Sequence, residues 1–201
     1  MLSLILSLLI AAILMLVVFG LKIVPFMLGI SISIGILAIW SIVDARSDRR
    51  SIFRFKSWYI LWGLVSAVVL YLIFFIGNYV SGIFLKSSSE QVSVFYDLIS
   101  GNLLITIPLM VLMIGPAEEI FWRGMIQRKL SKRIGDLYGW ILAAVFYALV
   151  HIWAANFMLF IAALVGGLFW GWLYKRTGSL WPCIISHSIW IILAFIIFPF
   201  Q

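Results

Sequence analysis

The stretch GPAEEIFWRG, residues 115–124, closes a long apolar run and places two adjacent glutamates inside it. A carboxylate within a membrane-spanning segment costs about 2.5 kcal/mol or more, so ionisable groups at such positions are functional candidates. The composition indicates that lipid is the solvent, because 65% of the 201 residues are hydrophobic and 10% are charged. A soluble domain carries about 25% charged residues, and a water-facing globule of this size could not bury so much apolar surface.

Seven apolar runs approach the length of about 20 residues that a helix needs to cross the hydrocarbon core. The sequence therefore predicts an all-α fold: a polytopic integral membrane helical bundle with about seven transmembrane helices, in a single membrane domain over residues 1–201. The first run has no basic leader and a second run follows at once, so we interpret it as a span and not as a signal peptide. The runs cover residues 2–20, 24–43, 58–80, 102–122, 138–153, 157–174 and 180–198.

The basic residues cluster between the apolar runs and indicate the orientation. Every strongly basic loop falls on one side if the N-terminus is cytoplasmic and the C-terminus is outside. Contact with the lipid bilayer and its anionic headgroups explains these charges. We expect no nucleic-acid partner, because the basic loops are short and lack a recognition fold. The loops on the cytoplasmic side contain Arg46, Arg49, Arg50, Arg54, Lys56, Arg128, Lys129, Lys132, Arg133, Lys175 and Arg176, and those on the other side contain Lys22 and Lys86.

The two glutamates differ in their predicted partners. Arg123 follows Glu119 by four residues, on the same helical face and in the order that favours an ion pair, so we expect it to neutralise Glu119. Successive helical side chains point about 100° apart, and we therefore expect that the glutamates cannot both face one partner. Glu118 then lacks a local counter-charge and can exchange a proton with water. Pro116 removes a backbone hydrogen bond, which suits a local kink where water enters. A snorkelling cluster at the cytoplasmic end of the span is the simpler alternative.

Both histidines of the chain lie inside apolar stretches. Either one alone could be an ordinary core histidine with a satisfied hydrogen bond. Polar groups in hydrocarbon seek one another, however. We therefore expect one buried, hydrated pocket that gathers the candidate catalytic residues Glu118, Glu119, Arg123, His151 and His187.

The depth of His151 constrains the predicted topology. Counted from Tyr138 at about 1.5 Å per residue, His151 lies well across the bilayer, whereas Glu118 lies nearer the cytoplasmic end of the fourth span. The fifth span is also somewhat short for a full crossing. We therefore expect the fifth and sixth spans to form a short re-entrant hairpin. Its tip, near WAANF at residues 153–157, would stay inside the protein, where irregular backbone is tolerated.

The ordered motifs resemble those of the CAAX prenyl endopeptidase and bacteriocin-processing (CPBP, or Abi) family of intramembrane peptidases. These motifs are E-E-x-x-x-R on one span, an aromatic-x-x-x-H on the next and an H on the last. The resemblance covers about half of the chain, roughly residues 100–198, and implies a CPBP-like catalytic region there. The second motif is usually F-x-x-x-H and here has Tyr in place of Phe. The matching positions are Glu118, Glu119 and Arg123, then Tyr147 and His151, and finally His187.

The third motif departs from the family pattern. The family's histidine is followed four residues later by Asn or Asp, and here by Ile191. The resemblance implies that an amide or carboxyl at this position helps His187 bind the developing oxyanion, and isoleucine cannot donate a hydrogen bond. Loss of one such donor costs about 10²–10³ in rate. The chain could be a slow peptidase, could use a different donor or could have abandoned catalysis. Trp190 and Ser188 are expected to point to other faces.

The resemblance implies an intramembrane endopeptidase that uses glutamate-activated water to hydrolyse a peptide bond in a membrane-associated peptide or a lipidated protein. In this interpretation Glu118 is the general base and His151 holds and polarises the water. His187 stabilises the oxyanion, while Arg123 fixes Glu119 and the shape of the pocket. The short chain resembles bacterial members, which predicts a bacterial plasma membrane location.

No cofactor is expected, although two carboxylates and two imidazoles could hold a divalent metal. The chain has no H-E-x-x-H pair, and Arg123 argues against a cation beside the acids. Cys183 is expected to be an inert or lipid-modified thiol rather than a nucleophile. Two other classes stay open: a catalytically inactive family member that acts as a membrane scaffold or immunity protein, and a small proton-coupled carrier. A carrier would be expected to show internal symmetry, which the sequence lacks. The sequence does not specify the oligomeric state.

Overall fold

The computed structural model describes residues 2–200, and these fold into helices without a strand. Six of the described helices are long and apolar enough to cross a membrane: Leu2–Leu21, Phe26–Asp44, Trp58–Phe84, Leu103–Ile134, Asp136–Ala154 and Phe157–Thr177. The helix Trp181–Ile197 is apolar but shorter. The predicted all-α polytopic bundle is confirmed, and the count of seven spans stays a prediction. The helices are α1 (Leu2–Leu21), α2 (Phe26–Asp44), α3 (Arg49–Ile52), α4 (Trp58–Phe84), α5 (Ser88–Ile99), α6 (Leu103–Ile134), α7 (Asp136–Ala154), α8 (Phe157–Thr177) and α9 (Trp181–Ile197).

The outer surface of the bundle is apolar. Helix α4, for example, exposes 63% of Leu61, 60% of Ile76 and 78% of Phe84. Monomeric soluble proteins rarely expose large contiguous apolar patches, whereas lipid tails solvate such a surface without penalty. The chain is therefore an integral membrane protein.

Helix α6 is longer than the sequence predicts. The apolar run ends near residue 122, but the helix continues to Ile134 and has 32 residues. At 1.5 Å per residue it is about 48 Å long, which exceeds the hydrocarbon core of about 30 Å. Glu118 therefore lies in the middle of this helix. The expectation that it lies near the cytoplasmic end of its span stays a prediction.

The turn between α6 and α7 explains how His151 can lie at the same depth as Glu118. The two helices are joined at Gly135, whose positive φ of 84° is readily adopted only by glycine. Glu118 lies 17 residues before this glycine and His151 lies 16 residues after it. Because the two helices pack side by side from the turn onward, residues at equal distance from it lie at similar depth.

The predicted re-entrant hairpin is not needed to bring His151 level with Glu118. Helices α7 and α8 have 19 and 21 residues, so each is long enough to cross a membrane. At the turn between them Trp153 and Phe157 are 41% and 53% exposed. The hairpin itself stays a prediction.

The basic loops meet at one end of the bundle. The Arg128 guanidinium forms ion pairs with Asp44 (3.2 Å) and Asp48. Lys129 and Lys132 approach the same two carboxylates, each with a nitrogen–oxygen distance of 2.5 Å. These contacts join the end of α6 to the end of α2, so the loops that are predicted to be cytoplasmic are neighbours in space.

The ion pairs of Asp48 should make stability depend on pH. The hydrogen bond from the Lys132 ammonium, aided by Arg128, holds the pKa of this carboxyl below its usual 3.8. A lowered folded-state pKa stabilises the fold above the unfolded pKa, and this contribution is lost as the pH falls through the folded value. We expect Asp48→Asn to lower the unfolding temperature at pH 7, and the gap from the wild type to close below pH 3.8.

Thermal unfolding in detergent at a series of pH values measures this gap. Asp97→Asn is the matched control, because Asp97 is an exposed aspartate on α5 with no ion pair among the described contacts. A gap for Asp48→Asn that stays constant across the acid range would contradict the assigned pKa direction.

Close packing of α6 against α7 gives a second prediction. A Cβ on Gly139 would lie 2.4 Å from the backbone nitrogen of Ser131, and overpacking of this kind costs about 1–3 kcal/mol. We expect Gly139→Ala to lower the unfolding temperature by several degrees. Gly82→Ala on α4 is the control, because its Cβ would meet nothing within 4 Å, and alanine is the better helix former. Equal unfolding temperatures for the two variants would contradict the packing.

Candidate active site

The backbone of α6 is irregular around the two glutamates. The helix widens into π-type turns at Met110–Ile114 and Trp122–Gln127, on either side of the segment that carries them. In the first turn the Gly115 amide donates to the Met110 carbonyl, five residues earlier. Pro116 cannot donate a regular helical hydrogen bond, and the irregularity expected beside it takes the form of this wide turn. Single π turns inside α-helices occur frequently at functional sites.

A buried ion pair stands at the centre of the site. Arg123 Nη1 lies 3.0 Å from Glu119 Oε1, and the two side chains are 2% and 0% exposed. The other end of the guanidinium, Nη2, donates to the backbone carbonyls of Gly166 (3.3 Å) and Gly167 (3.2 Å) on α8. The expected pairing of Arg123 with Glu119 is confirmed. Both terminal nitrogens of the guanidinium have hydrogen-bond acceptors.

The His187 ring lies between the two glutamates. Its Nδ1 is 2.9 Å from Glu119 Oε1, and its Nε2 is 3.9 Å from Glu118 Oε2. The prediction that the glutamates cannot both face one partner is therefore wrong. The 100° between their side chains leaves a gap, and an imidazole with nitrogens on two sides can fill it. Because ionised Glu119 can only accept a hydrogen bond, we assign the proton of Nδ1 to this contact.

Tyr147 connects Glu118 to His151. The tyrosine hydroxyl donates to Glu118 Oε2 at 2.8 Å. One turn later on α7, His151 Nδ1 lies 2.8 Å from the Tyr147 backbone carbonyl. A carbonyl only accepts hydrogen bonds, so Nδ1 carries the proton and Nε2 is an acceptor in the neutral ring. The family's usual phenylalanine could not make the contact with Glu118.

A cavity of about 430 Å³ opens beside these groups, and its walls are mostly apolar. Glu118, Tyr147, His151 and His187 are among its lining residues, and the buried Glu119 and Arg123 lie behind them. The structure thus brings all five predicted site residues together at one edge of one cavity.

Helix α5 closes part of this cavity and was missed by the sequence reading. Its Tyr96 hydroxyl donates to the Ala194 carbonyl at 2.6 Å. The backbone carbonyl of Gln91 accepts a hydrogen bond of 2.7 Å from the Asn156 amide, in the turn between α7 and α8. The helix is too short and too polar to qualify as a span. The run of serines before an alternation of apolar and polar residues was the available signal.

The sequence also did not identify Trp170 on α8 as a residue of the site. Its ring stacks on the His187 imidazole with centroids 3.9 Å apart and an interplanar angle of 19°. The Arg123 guanidinium carbon lies 5.5 Å from the same ring. Trp170 Nε1 donates to the Ser186 hydroxyl at 3.1 Å, which fixes the indole. Among ten tryptophans that suit the membrane interface, nothing in the sequence distinguished this one.

Position 191 supplies no polar group to the site. Ile191 is 3% exposed and packs in an apolar cluster with Ile99 and Met110. The neighbouring Ser188 is predicted to point to another face, and this is confirmed. Its hydroxyl donates to the Val111 carbonyl at 2.7 Å, away from the carboxylates.

The expectation for Trp190 is wrong. Its ring lines the same cavity as Glu118 and His187, and its centroid lies 6.4 Å from that of the His187 ring. A long aromatic side chain reaches over the helix surface to a face that its backbone position alone does not indicate.

Among residues 2–200 no group of three or more His, Cys, Asp or Glu side chains is arranged to hold an ion. Glu119 Oε1 is already shared by Arg123 and His187. Cys183 is fully buried, and its thiol donates to the Trp170 carbonyl at 3.4 Å. It therefore packs as an ordinary core residue.

Comparison with known proteins matches residues 100–193 to one family model, described as Rce1-like: Type II CAAX prenyl endopeptidase Rce1-like. The matched range is just under half of the chain, includes all five site residues, and confirms the resemblance read from the motifs. No curated protein and no solved structure matches the chain.

The buried ion pair gives a third prediction. Removal of one partner of a buried pair costs about 3–5 kcal/mol, because the other charge is left uncompensated. We therefore expect Arg123→Ala to lose about that much stability, and the double variant Glu119→Gln/Arg123→Ala to recover part of it. Arg46→Ala, at an exposed arginine, should change stability by less than about 0.5 kcal/mol. Denaturant titration in mixed micelles measures all four proteins, and a double variant no more stable than Arg123→Ala would refute the charge argument.

Proposed function

We propose that this chain, whose residues 100–193 match the Type II CAAX prenyl endopeptidase Rce1-like family, is an intramembrane endopeptidase that hydrolyses a peptide bond by water activation at Glu118. The observation that carries the proposal is the contrast between the two adjacent carboxylates. Glu119 is tied to Arg123 and His187, whereas Glu118 faces the cavity and has a tyrosine hydroxyl as its hydrogen-bond donor.

In the proposed reaction a water molecule attacks the scissile carbonyl carbon while Glu118 takes its proton. The new carbon–oxygen bond converts the carbonyl oxygen into an oxyanion. When the carbon–nitrogen bond breaks, protonated Glu118 returns the proton to the leaving nitrogen. The carboxylate is then regenerated, and no covalent enzyme intermediate is required.

The other side chains have positioning and electrostatic roles in this proposal. His151 accepts a hydrogen bond from the attacking water at Nε2, because its Nδ1 is engaged by the Tyr147 carbonyl. His187 can donate to the oxyanion through Nε2 only in its imidazolium form. Arg123 holds Glu119, and Glu119 in turn orients the His187 ring.

The substrate proposed is a membrane-associated peptide or a lipidated protein. The apolar walls of the cavity fit an apolar chain better than a charged one, and the matched family is named for CAAX prenyl peptides. The proposed orientation has the N-terminus in the cytoplasm, because the basic loops meet at one end of the bundle. The proposal gives no catalytic role to a metal.

A second candidate function has one observation in its favour. Ile191 is enclosed by apolar neighbours and cannot provide the donor that the family resemblance implies. A chain that kept the fold after losing catalysis would act as a membrane scaffold or immunity protein, and its cellular effect would not depend on Glu118.

The test is peptide cleavage by protein reconstituted in liposomes. The probes are an S-farnesylated CAAX-box peptide with a fluorophore and a quencher on either side of the cleavage region, and the same peptide without the lipid. General-base catalysis contributes about 10²–10⁴ in rate, so we expect Glu118→Gln to lower kcat by that factor. Glu90→Gln, at an exposed glutamate on α5, should cleave like the wild type.

Three outcomes would refute the proposal. A wild type that cleaves neither peptide would favour the inactive scaffold. Equal, measurable cleavage by the wild type and Glu118→Gln would show that hydrolysis does not use Glu118. Cleavage that is abolished by a chelator and restored by a divalent metal would replace glutamate-driven hydrolysis by a metal-dependent reaction.

A further inference from the structure

The segment after α9 folds back along the bundle. The helix ends at Ile197, and Pro199 cannot continue it, because proline has no backbone N–H and disfavours helical geometry in the residue before it. The φ of Phe198 is −139°, outside the helical range. Phe198–Phe200, named here the tail, is therefore not helical, and Phe200 lies in the lining of the same cavity as Glu118.

Three side chains hold the backbone of the tail. The Tyr71 hydroxyl on α4 donates to the Phe198 carbonyl at 3.0 Å, and the Asn78 amide donates to the Phe200 carbonyl at 3.4 Å. The Phe200 N–H donates to the Tyr96 hydroxyl of α5 at 3.0 Å. All three contacts use main-chain atoms of the tail, so another peptide with the same backbone path could make them. Main-chain hydrogen bonds are a general source of affinity in peptide recognition.

The Phe200 ring connects these contacts to the reaction centre. It stacks on Phe74 of α4 with centroids 6.4 Å apart. Phe74 packs on Trp190 at 4.9 Å, and Trp190 in turn lies 6.4 Å from the His187 ring. A continuous row of rings thus leads from the tail to the imidazole beside Glu118. A peptide bound in the place of the tail can follow this row into the cavity.

The tail is only loosely enclosed. Phe198 is 57% exposed and Pro199 is also exposed. Segments with few buried contacts open at low free-energy cost. Because the tail is tied to the end of α9, however, it competes at an effective concentration in the millimolar range. A peptide that binds along α4 must therefore displace it.

We propose that Tyr71, Asn78 and Tyr96 form a binding site for the main chain of the peptide substrate, and that the tail occupies this site until the substrate displaces it. The Tyr71 ring, which stacks on Phe200 at 5.1 Å and 16°, and the Phe74 ring accept an apolar side chain of the bound peptide. This inference rests on the proposed function for the identity of the ligand, but it concerns binding and is tested without cleavage.

Peptide binding is measured in the Glu118→Gln background. The probe is the farnesylated peptide with its fluorophore alone, and its anisotropy is recorded with protein in nanodiscs after subtraction of empty nanodiscs. Phe200→Ala removes the ring that packs on α4, so we expect the Kd to fall at least about threefold, because the site is free in a larger fraction of molecules. Phe84→Ala is the matched control, since Phe84 on α4 is 78% exposed and outside the cavity lining.

A second comparison separates a binding residue from one that only holds the tail. In protein that already carries Phe200→Ala, Tyr71→Phe removes a hydroxyl and keeps the ring. Loss of this hydrogen bond should raise the Kd of the peptide about fivefold, whereas a residue that only holds the tail would have no effect. Tyr79→Phe is the matched control, because Tyr79 is a 70% exposed tyrosine on the same helix and outside the cavity lining.

Fluorine NMR observes the displacement directly and does not depend on the folding of Phe200→Ala. A trifluoromethyl label is attached to Phe198→Cys, where the native side chain is exposed, while Cys183 is fully buried. We expect saturating farnesylated peptide to replace the resonance of the label by a narrower one, because the released tail is more mobile.

Three results would overturn the inference. The first is a Phe200→Ala protein that binds the peptide no more tightly than Phe84→Ala, and the second is a Tyr71→Phe effect no larger than that of Tyr79→Phe. The third is a label at position 198 whose spectrum does not change at saturating peptide. The proposed function fails separately: tighter binding by Phe200→Ala in a protein whose wild type cleaves neither peptide would support this site and refute the peptidase.

Discussion

The Glu119 carboxylate, buried in the interior of a membrane protein, is the constraint on which the rest of the site depends. An isolated charge there is expensive, so the fold must supply compensating donors. Arg123 reaches it from one turn along the same helix, and His187 reaches it from α9. These two contacts tie α6 to α9, while the second guanidinium nitrogen ties α6 to the carbonyls of α8. One buried anion thus sets the relative positions of three helices.

The small residues of α8 make this arrangement possible. Gly167 packs so closely on α7 that a Cβ there would lie 3.1 Å from the Cα of Ala144 and from the Tyr147 ring. Gly166 and Gly167 expose backbone carbonyls that Arg123 can reach. The same approach brings Tyr147 within 2.8 Å of Glu118. Close helix contact through small residues is a general device in membranes, and here it positions a carboxylate that the ion pair leaves free.

The sequence predicted which residues form the site better than it predicted the lengths of the helices that carry them. Composition and apolar run length identified the membrane bundle, and the four-residue spacing of Glu119 and Arg123 identified their ion pair. The end of α6 was placed too early because a span was equated with an apolar run, although the helix continues through Arg128 and Lys132 to meet Asp44 at the end of α2 and Asp48 in the turn after it. The positions of Trp170 and Trp190 at the cavity could not be predicted, because each depends on contacts between residues distant in the chain.

Infrared difference spectroscopy tests the central claim most directly, because it reports the charge state of a buried carboxyl group. Spectra of the reconstituted wild type and of Glu119→Gln would be compared at neutral pH. An ionised Glu119, held by Arg123 and His187, predicts that the substitution removes absorption of a carboxylate ion. Loss of the absorption of a protonated carboxylic acid instead would show that Glu119 is neutral. In that case the contrast between the two glutamates, and the water activation proposed for Glu118, would have no basis.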